Sequence, residues 1–281
     1  MLYLGVAVAV VVAVLLVVVV VLPNLTGSSG AAAVLTYSGA LPVANGAAGA
    51  FAGGGWTPIF AAGLVSATTE SFPVNTTALG NLTSGCTYTP QTNLLSLTLP
   101  GYPGNRSLGA SPAWEFGYRN GSDTLAIVSV IGGHGMVLAT LSGSECSFYA
   151  QLFRAIPGNV IDSSRAAAAV QGDARSFLLA HPNASAEFGL IGGISFLGKG
   201  TGPEWSIVYS TCALAESPTG TGAQFNATVN ALNGTVVATN TSSDVSCGGG
   251  TTAVAAPPSV GAFPLAALSN PSRLEISNDS S

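Results

Sequence analysis

The sequence predicts an α+β protein: a single N-terminal transmembrane helix followed by a β-rich extracellular region of two similar helix-plus-antiparallel-sheet units. Three observations carry this expectation. The first 22 residues are apolar and uncharged, alternating apolar runs joined by Asn-Gly or Gly-Gly turns recur further on, and a strand opening Trp-x-x-x-Tyr occurs twice.

Composition narrows the class. The 281 residues hold 7 Lys+Arg and 12 Asp+Glu, a formal charge of −5, and 7% charged residues against about 25% in an ordinary soluble domain. Seven scattered cations in an acidic chain form no phosphate-tracking stripe, which excludes nucleic acid as a partner.

Residues 1–22, MLYLGVAVAVVVAVLLVVVVVL, make a helix of about 33 Å, enough for a hydrocarbon core of roughly 30 Å. The run exceeds the roughly 7–15 apolar residues of a cleaved signal and has no basic residue before it. An uncleaved signal anchor is therefore expected, with cleavage near residues 30–33 as the alternative. Orientation cannot follow from basic flanks, because the first charge is Glu70. It follows from two other signals. Asn-x-Ser/Thr occurs at Asn24, Asn75, Asn81, Asn105, Asn120, Asn183, Asn226, Asn233, Asn240 and Asn278, a density suited to a glycosylating exterior. Cys86, Cys146, Cys212 and Cys247 are widely spaced and lack a metal-binding pattern, which reads as two disulfides in an oxidising space. The expected location is the cell membrane, single-pass, with the C-terminal region outside.

Residues 23–56, rich in Gly, Ala and Ser, predict a flexible spacer. A first α/β unit then spans 57–146 and a second 147–247. Within the first, Pro58 at a helical N1 position predicts a short helix over 58–72, and 93–102 reads as a strand. Alternation about Asn120-Gly121 predicts a hairpin over 113–131, with a third strand at 136–141. A short helix is expected over 147–156. The strongest helix is 163–181, capped by Asp162 or a serine, with Ala167, Val170, Ala174, Phe177 and Leu178 on one face and Pro182 as its stop. Strands follow at 185–191 and 204–214, then a pair over 225–239 turning at Asn233-Gly234. Residues 248–281, with four prolines, predict a mostly irregular tail.

Laid side by side, Trp114-Glu-Phe-Gly-Tyr118 answers Trp205-Ser-Ile-Val-Tyr209, residues 134–140 (HGMVLAT) answer 233–239 (NGTVVAT), and a cysteine closes each unit. A duplication would pair Cys86 with Cys146 and Cys212 with Cys247 most simply, out of three formal pairings. Residues 163–239, ending in Ala231-Leu232-Asn233-Gly234-Thr235-Val236-Val237, resemble the PepSY family of extracytoplasmic domains, with a duplicate at 58–146. The chain departs from that pattern at Asn230, where the family has Asp, and at Leu232-Asn233 before the glycine. The resemblance implies small, often duplicated α/β modules outside the membrane that bind or inhibit rather than catalyse.

Signals of chemistry are sparse. His134 and His181 stand far from other metal donors, no G-x-S-x-G or S-x-x-K occurs, and the glycine runs lack a phosphate-binding context, so no cofactor, metal or catalytic residue is assigned. Trp114, Tyr118, Trp205 and Tyr209 share one side of their strands and read as core residues first and ligand contacts second. The expected function is a membrane-anchored, disulfide-stabilised, glycosylated surface module that binds a protein, peptide or glycan. The alternatives are a structural subunit assembled through residues 1–22 and an anchored extracellular hydrolase.

Overall fold

A computed structural model describes residues 33–52, 54–73, 87–91, 96–99, 101–102, 107–121, 124–144, 151, 153–196, 199–200, 202–212 and 221–247. The segment 1–22, the tail 248–281, Cys86 and Cys146 lie outside these residues. Among the described residues no helix is long and apolar enough to cross a membrane.

The elements in chain order are α1 (Tyr37–Ala52), β1 (Trp56–Val65), β2 (Glu70–Pro73), β3 (Thr87–Pro90), β4 (Ser96–Leu99), β5 (Ala113–Asn120), β6 (Thr124–Ile131), β7 (His134–Ser142), α2 (Ser163–Ala180), β8 (Ser185–Ile191), β9 (Ser195–Phe196), β10 (Lys199–Gly200), β11 (Glu204–Ser210), β12 (Thr221–Asn230) and β13 (Val236–Ser246). This is the expected α+β class, mostly antiparallel sheet with two helices. A nine-stranded sheet runs in the order β13-β12-β11-β8-β1-β5-β6-β7-β3, and β2-β4 and β9-β10 form small separate pairs.

That order reads almost the same from either side of a seam between β1 and β8. Each side places, moving outward, the strand after a helix and then three antiparallel neighbours: β1, β5, β6 and β7 on one side, β8, β11, β12 and β13 on the other. Register agrees with an approximate twofold axis. Ala62 faces Gly189 at the centre, Gly63 faces Phe188 on one side of it, and Ala61 faces Leu190 on the other. The helices follow the same relation, α1 packing on β5, β6 and β7 and α2 on β11, β12 and β13, both on one face.

Several expectations change here. Residues 37–52 are a packed helix, not part of a flexible spacer. Tyr37, Ala40, Ala44 and Ala48 are buried at helical spacing, because small side chains let the backbone approach the sheet closely. Pro42, on the exposed side, forgoes one backbone bond that water replaces. Residues 58–65 are strand, not helix. β1 is central and Ile59 to Ala62 are all buried, so it shows no alternation for sequence to reveal. Of the strand expected at 93–102, Ser96–Leu99 pairs with β2 outside the large sheet. Of the helix expected over 147–156, Gln151 is helical and Phe153 instead forms a bridge to Ile194, while 145–150 and 152 lie outside the described residues.

The two tryptophans occupy corresponding sites. Trp114 Nε1 donates to the Leu35 carbonyl at 2.7 Å and Trp205 Nε1 to the Ile161 carbonyl at 3.0 Å, each two residues before a helix begins. Their rings lie 6.4 Å apart, and Tyr37 packs edge-on against both, at 6.2 Å from Trp114 and 5.5 Å from Trp205. Gly63 is required beneath: a Cβ there would lie 2.8 Å from Trp114. By contrast, 134–140 and 233–239 do not correspond, since Gly135 lies within β7 and Gly234 in the turn before β13.

Asp162 also departs from its expected role. It stands at the start of α2, yet its side chain makes no capping hydrogen bond to that helix and takes from it only the Ser164 hydroxyl, at 2.9 Å. Its Oδ1 accepts the Ser38 N–H of α1 at 2.8 Å, and Ser163 Oγ accepts the Tyr37 N–H at 2.9 Å. One helix start therefore caps the other. Burial pushes the Asp162 carboxyl up, but hydrogen bonds from Ser38, Ser164 and Thr36 outweigh it and hold the group below the ordinary aspartate value.

Two predictions follow from this junction. Trp205→Phe should cost about 1–3 kcal/mol in urea denaturation, because it leaves the buried Ile161 carbonyl unpaired. Asp162→Asn should destabilise by about 1 kcal/mol near neutral pH. A lowered folded pKa contributes stability only above the unfolded value, so this difference should vanish as pH falls through the folded value.

Candidate functional site

The expected ligand residues are internal. Trp114, Tyr118, Trp205 and Tyr209 are among the largest fully buried side chains, on the face covered by α1 and α2. Tyr118 Oη donates to Asn45 Oδ1 of α1 at 2.7 Å. No ligand reaches these rings without displacing a helix, so they are core residues and not contacts.

Cys212 and Cys247 form a disulfide with Cα atoms 5.3 Å apart, closing the β12–β13 hairpin against the end of β11. Gly222 lies between the sulfurs and the strand, where a Cβ would stand 2.7 Å from each. In the chain-entropy view a loop of this length contributes about 4 kcal/mol. Of the glycosylation sequons, Asn183, Asn233 and Asn240 are exposed, whereas Asn120 and Asn226 are half-buried within strands. Asn24, Asn75, Asn81, Asn105 and Asn278 lie outside the described residues. His134 is exposed at the start of β7, and His181 packs on Phe177 at 4.6 Å at the end of α2. Among the described residues no group of three or more His, Cys, Asp or Glu could hold a metal ion.

The distinctive chemistry lies on the sheet face turned away from the helices. One transverse row crosses six strands there: Ser129, Glu115, Ala62, Gly189, Ser206 and Thr228. Ser129, Glu115 and Thr228 are buried although polar, with Glu115 only 5% exposed. Glu115 Oε1 has no hydrogen-bond partner. Glu187 stands on the other side of β1, opposite Leu64 and one pleat away along the strand. Burial first, and then the Glu187 charge, push the Glu115 carboxyl well above the ordinary range. Glu187 keeps part of its surface in solvent, yet its carboxyl lies deep enough that burial pushes it up to about 7. Burial also raises Glu204, the border residue of β11.

The two halves differ on this face. On the β5–β7 side it is covered, with Leu125, Ile127, Ile131 and Leu141 buried alongside Glu115 and Ser129. On the β8–β12 side Glu204, Ser206, Val208, Ser210, Gln224 and Asn226 are half-exposed, a flat surface of hydroxyls, amides and border carboxylates. Asn226 Oδ1 is enclosed without a partner.

Any two of the 12 carboxylates could meet in space, and the sequence did not single out Glu115 and Glu187, although a signal was present. The tripeptide Glu-Phe-Gly occurs twice, at 115–117 and 187–189. In both copies the phenylalanine turns to the helix side, which sends the glutamate to the opposite face. Comparison with protein-family models, curated proteins and solved structures found no match.

The enclosed amide supports a stability prediction. Asn226→Leu removes an unpaired buried acceptor and should leave stability unchanged or raise it by about 1 kcal/mol, read from the urea midpoint.

Proposed function

We propose that this chain is a membrane-anchored, disulfide-stabilised, N-glycosylated cell-surface module that binds a protein, peptide or glycan on the open sheet face of β8, β11 and β12. The observation that carries this reading is the difference between two halves built alike. This face is covered in one half, while the equivalent face of the other presents Ser206, Ser210 and Gln224 to solvent. Hydroxyls and amides on a flat sheet match the alternating donors and acceptors of an extended polar ligand, and they lose little hydration when they meet one. The apolar segment 1–22 supplies the anchor, and the exposed sequons at Asn183, Asn233 and Asn240 supply glycan sites, Asn240 bordering the proposed face opposite Asn226. The PepSY likeness of 163–239 belongs to the same reading, as a family of non-catalytic modules.

A second reading, assembly with other copies of the chain, is favoured by β13. This strand of 11 residues borders the sheet, and none of the described strands pairs with its outer edge.

The full chain, produced in a glycosylating host and purified in detergent, should remain with membranes after carbonate extraction and carry sugar at Asn183, Asn233 and Asn240 by glycopeptide mass spectrometry. On arrays of neutral glycans and peptides, Ser206→Arg should weaken the binding seen with the wild type at least tenfold. Release from the membrane, or equal binding by the arginine variant, would overturn the reading. Ordered assemblies in electron micrographs that disappear with Thr241→Pro would favour the second.

A further inference from the structure

Among the described residues, the β1–β8 seam is the one large-sheet junction between the two halves, made of six register pairs from Phe60 with Ile191 to Val65 with Ala186. Glu115, on β5, belongs to one half, and Glu187, on β8, to the other. They flank β1 on the same sheet face, separated by the small residues Ala62 and Gly189. Glu115 is enclosed with one oxygen unpartnered, a position that strongly disfavours a bare negative charge.

Among the described residues, none hydrogen-bonds Glu115 Oε1. Arg119, two pleats along β5 on the same face, directs Nη1 to the Phe153 carbonyl at 3.1 Å. Arg154 is exposed, in a segment whose backbone meets Gly193. Glu204 of β11, opposite Ile191, adds a third carboxyl. The described residues of β1, β6 and β12 carry no ionisable side chain. On other neighbouring strands, Glu70 belongs to β2, His134 to β7 and Lys199 to β10.

We propose that Glu115 and Glu187 make the seam between the halves a proton-held joint, tight in acid and loosened as pH rises. While both carboxyls are neutral, the seam contains two ordinary hydrogen-bonding groups. When they ionise, two like charges flank β1 one pleat apart on the same sheet face, Glu115 in an enclosed position, and the strain falls on the β1–β8 ladder. The linkage has a definite sign. A carboxyl raised on folding contributes no penalty below its unfolded value near 4.5, and costs stability as pH climbs toward the folded value, about 7 for Glu187 and well above 4.5 for Glu115. Asp162 has the opposite sign and sets the acid limit below its ordinary value. Maximum stability is thus expected in mild acid. This goes beyond the binding function and does not depend on it.

Native-state hydrogen exchange of the full chain in detergent, converted to protection factors, tests the joint at about pH 4.5 and about pH 8. Protection of amides 60–65 and 186–191 should fall at least tenfold more at the higher pH than protection in the β6–β7 hairpin. Glu115→Gln with Glu187→Gln should abolish this difference, and Glu187→Gln alone should reduce it. The proposal is overturned by equal seam protection at both pH values, by a uniform fall in every strand, or by pH dependence that survives the double substitution. It is also overturned if calcium chloride restores seam protection in the wild type at high pH and not in the double variant, since the pair would then be a metal site.

Discussion

Six antiparallel register pairs between β1 and β8 hold two helix-and-sheet halves in one continuous sheet. Everything else in the structure is arranged around that seam. On one face it brings Tyr37, Trp114 and Trp205 together where both helices begin, so the starts of α1 and α2 share hydrogen-bond partners. On the other face it sets Glu115 and Glu187 on either side of a single strand. Twofold geometry makes these consequences inseparable: a one-residue slip of β8 against β1 would send its core residues to the opposite face.

The composition suits this architecture in a specific way. Alanine and glycine, which suggest a linker when read as a string, permit close layers when placed at helical spacing or beneath a large ring. Ala40, Ala44 and Ala48 let α1 settle on the sheet, and Gly63 leaves room for the Trp114 indole. Low charge fits the same picture. Few charged groups compete with burial, and the carboxylates that are buried lie where protonation can neutralise them. The halves then diverge on the helix-free face, one closed over aliphatic side chains and the other left polar and half-open. Related frameworks thus serve two purposes, structural support on one side and an accessible surface on the other.

Much of the second half was legible because its signals are local. The helix Ser163–Ala180 follows its apolar stripe and stops before Pro182, and Cys212 joins Cys247 as the repeat suggested. The β5–β6 hairpin lies where its sequence predicts, but Asn120 still pairs with Thr124, and the chain turns after it, starting at Gly121 with φ 59°. The correspondence of Trp114 with Trp205 was readable too, though the adjoining likeness of 134–140 to 233–239 was not a structural one. The first half was harder. A central strand buried on both faces has no alternation, and an alanine-rich helix resembles a spacer until the surface it packs against is known. For the carboxylates, the repeated Glu-Phe-Gly was visible, but nothing local indicates that the two copies border the same strand.

The amino-acid sequence by itself determined the antiparallel class, the hairpin turns, the longer helix, the alternation that buries both tryptophans and the scarcity of charge, because each depends on residues within one turn or a few pleats of each other. Tertiary structure alone decided that residues 37–52 are a packed helix, that the halves join through β1 and β8, that Asp162 caps a neighbouring helix, and that Glu115 and Glu187 face each other across the seam. Those outcomes depend on register and packing between segments far apart in the chain, more than a hundred residues for β1 with β8 and for Ser38 with Asp162. Such register is chosen by the collective burial of two faces and by no single stretch of chain.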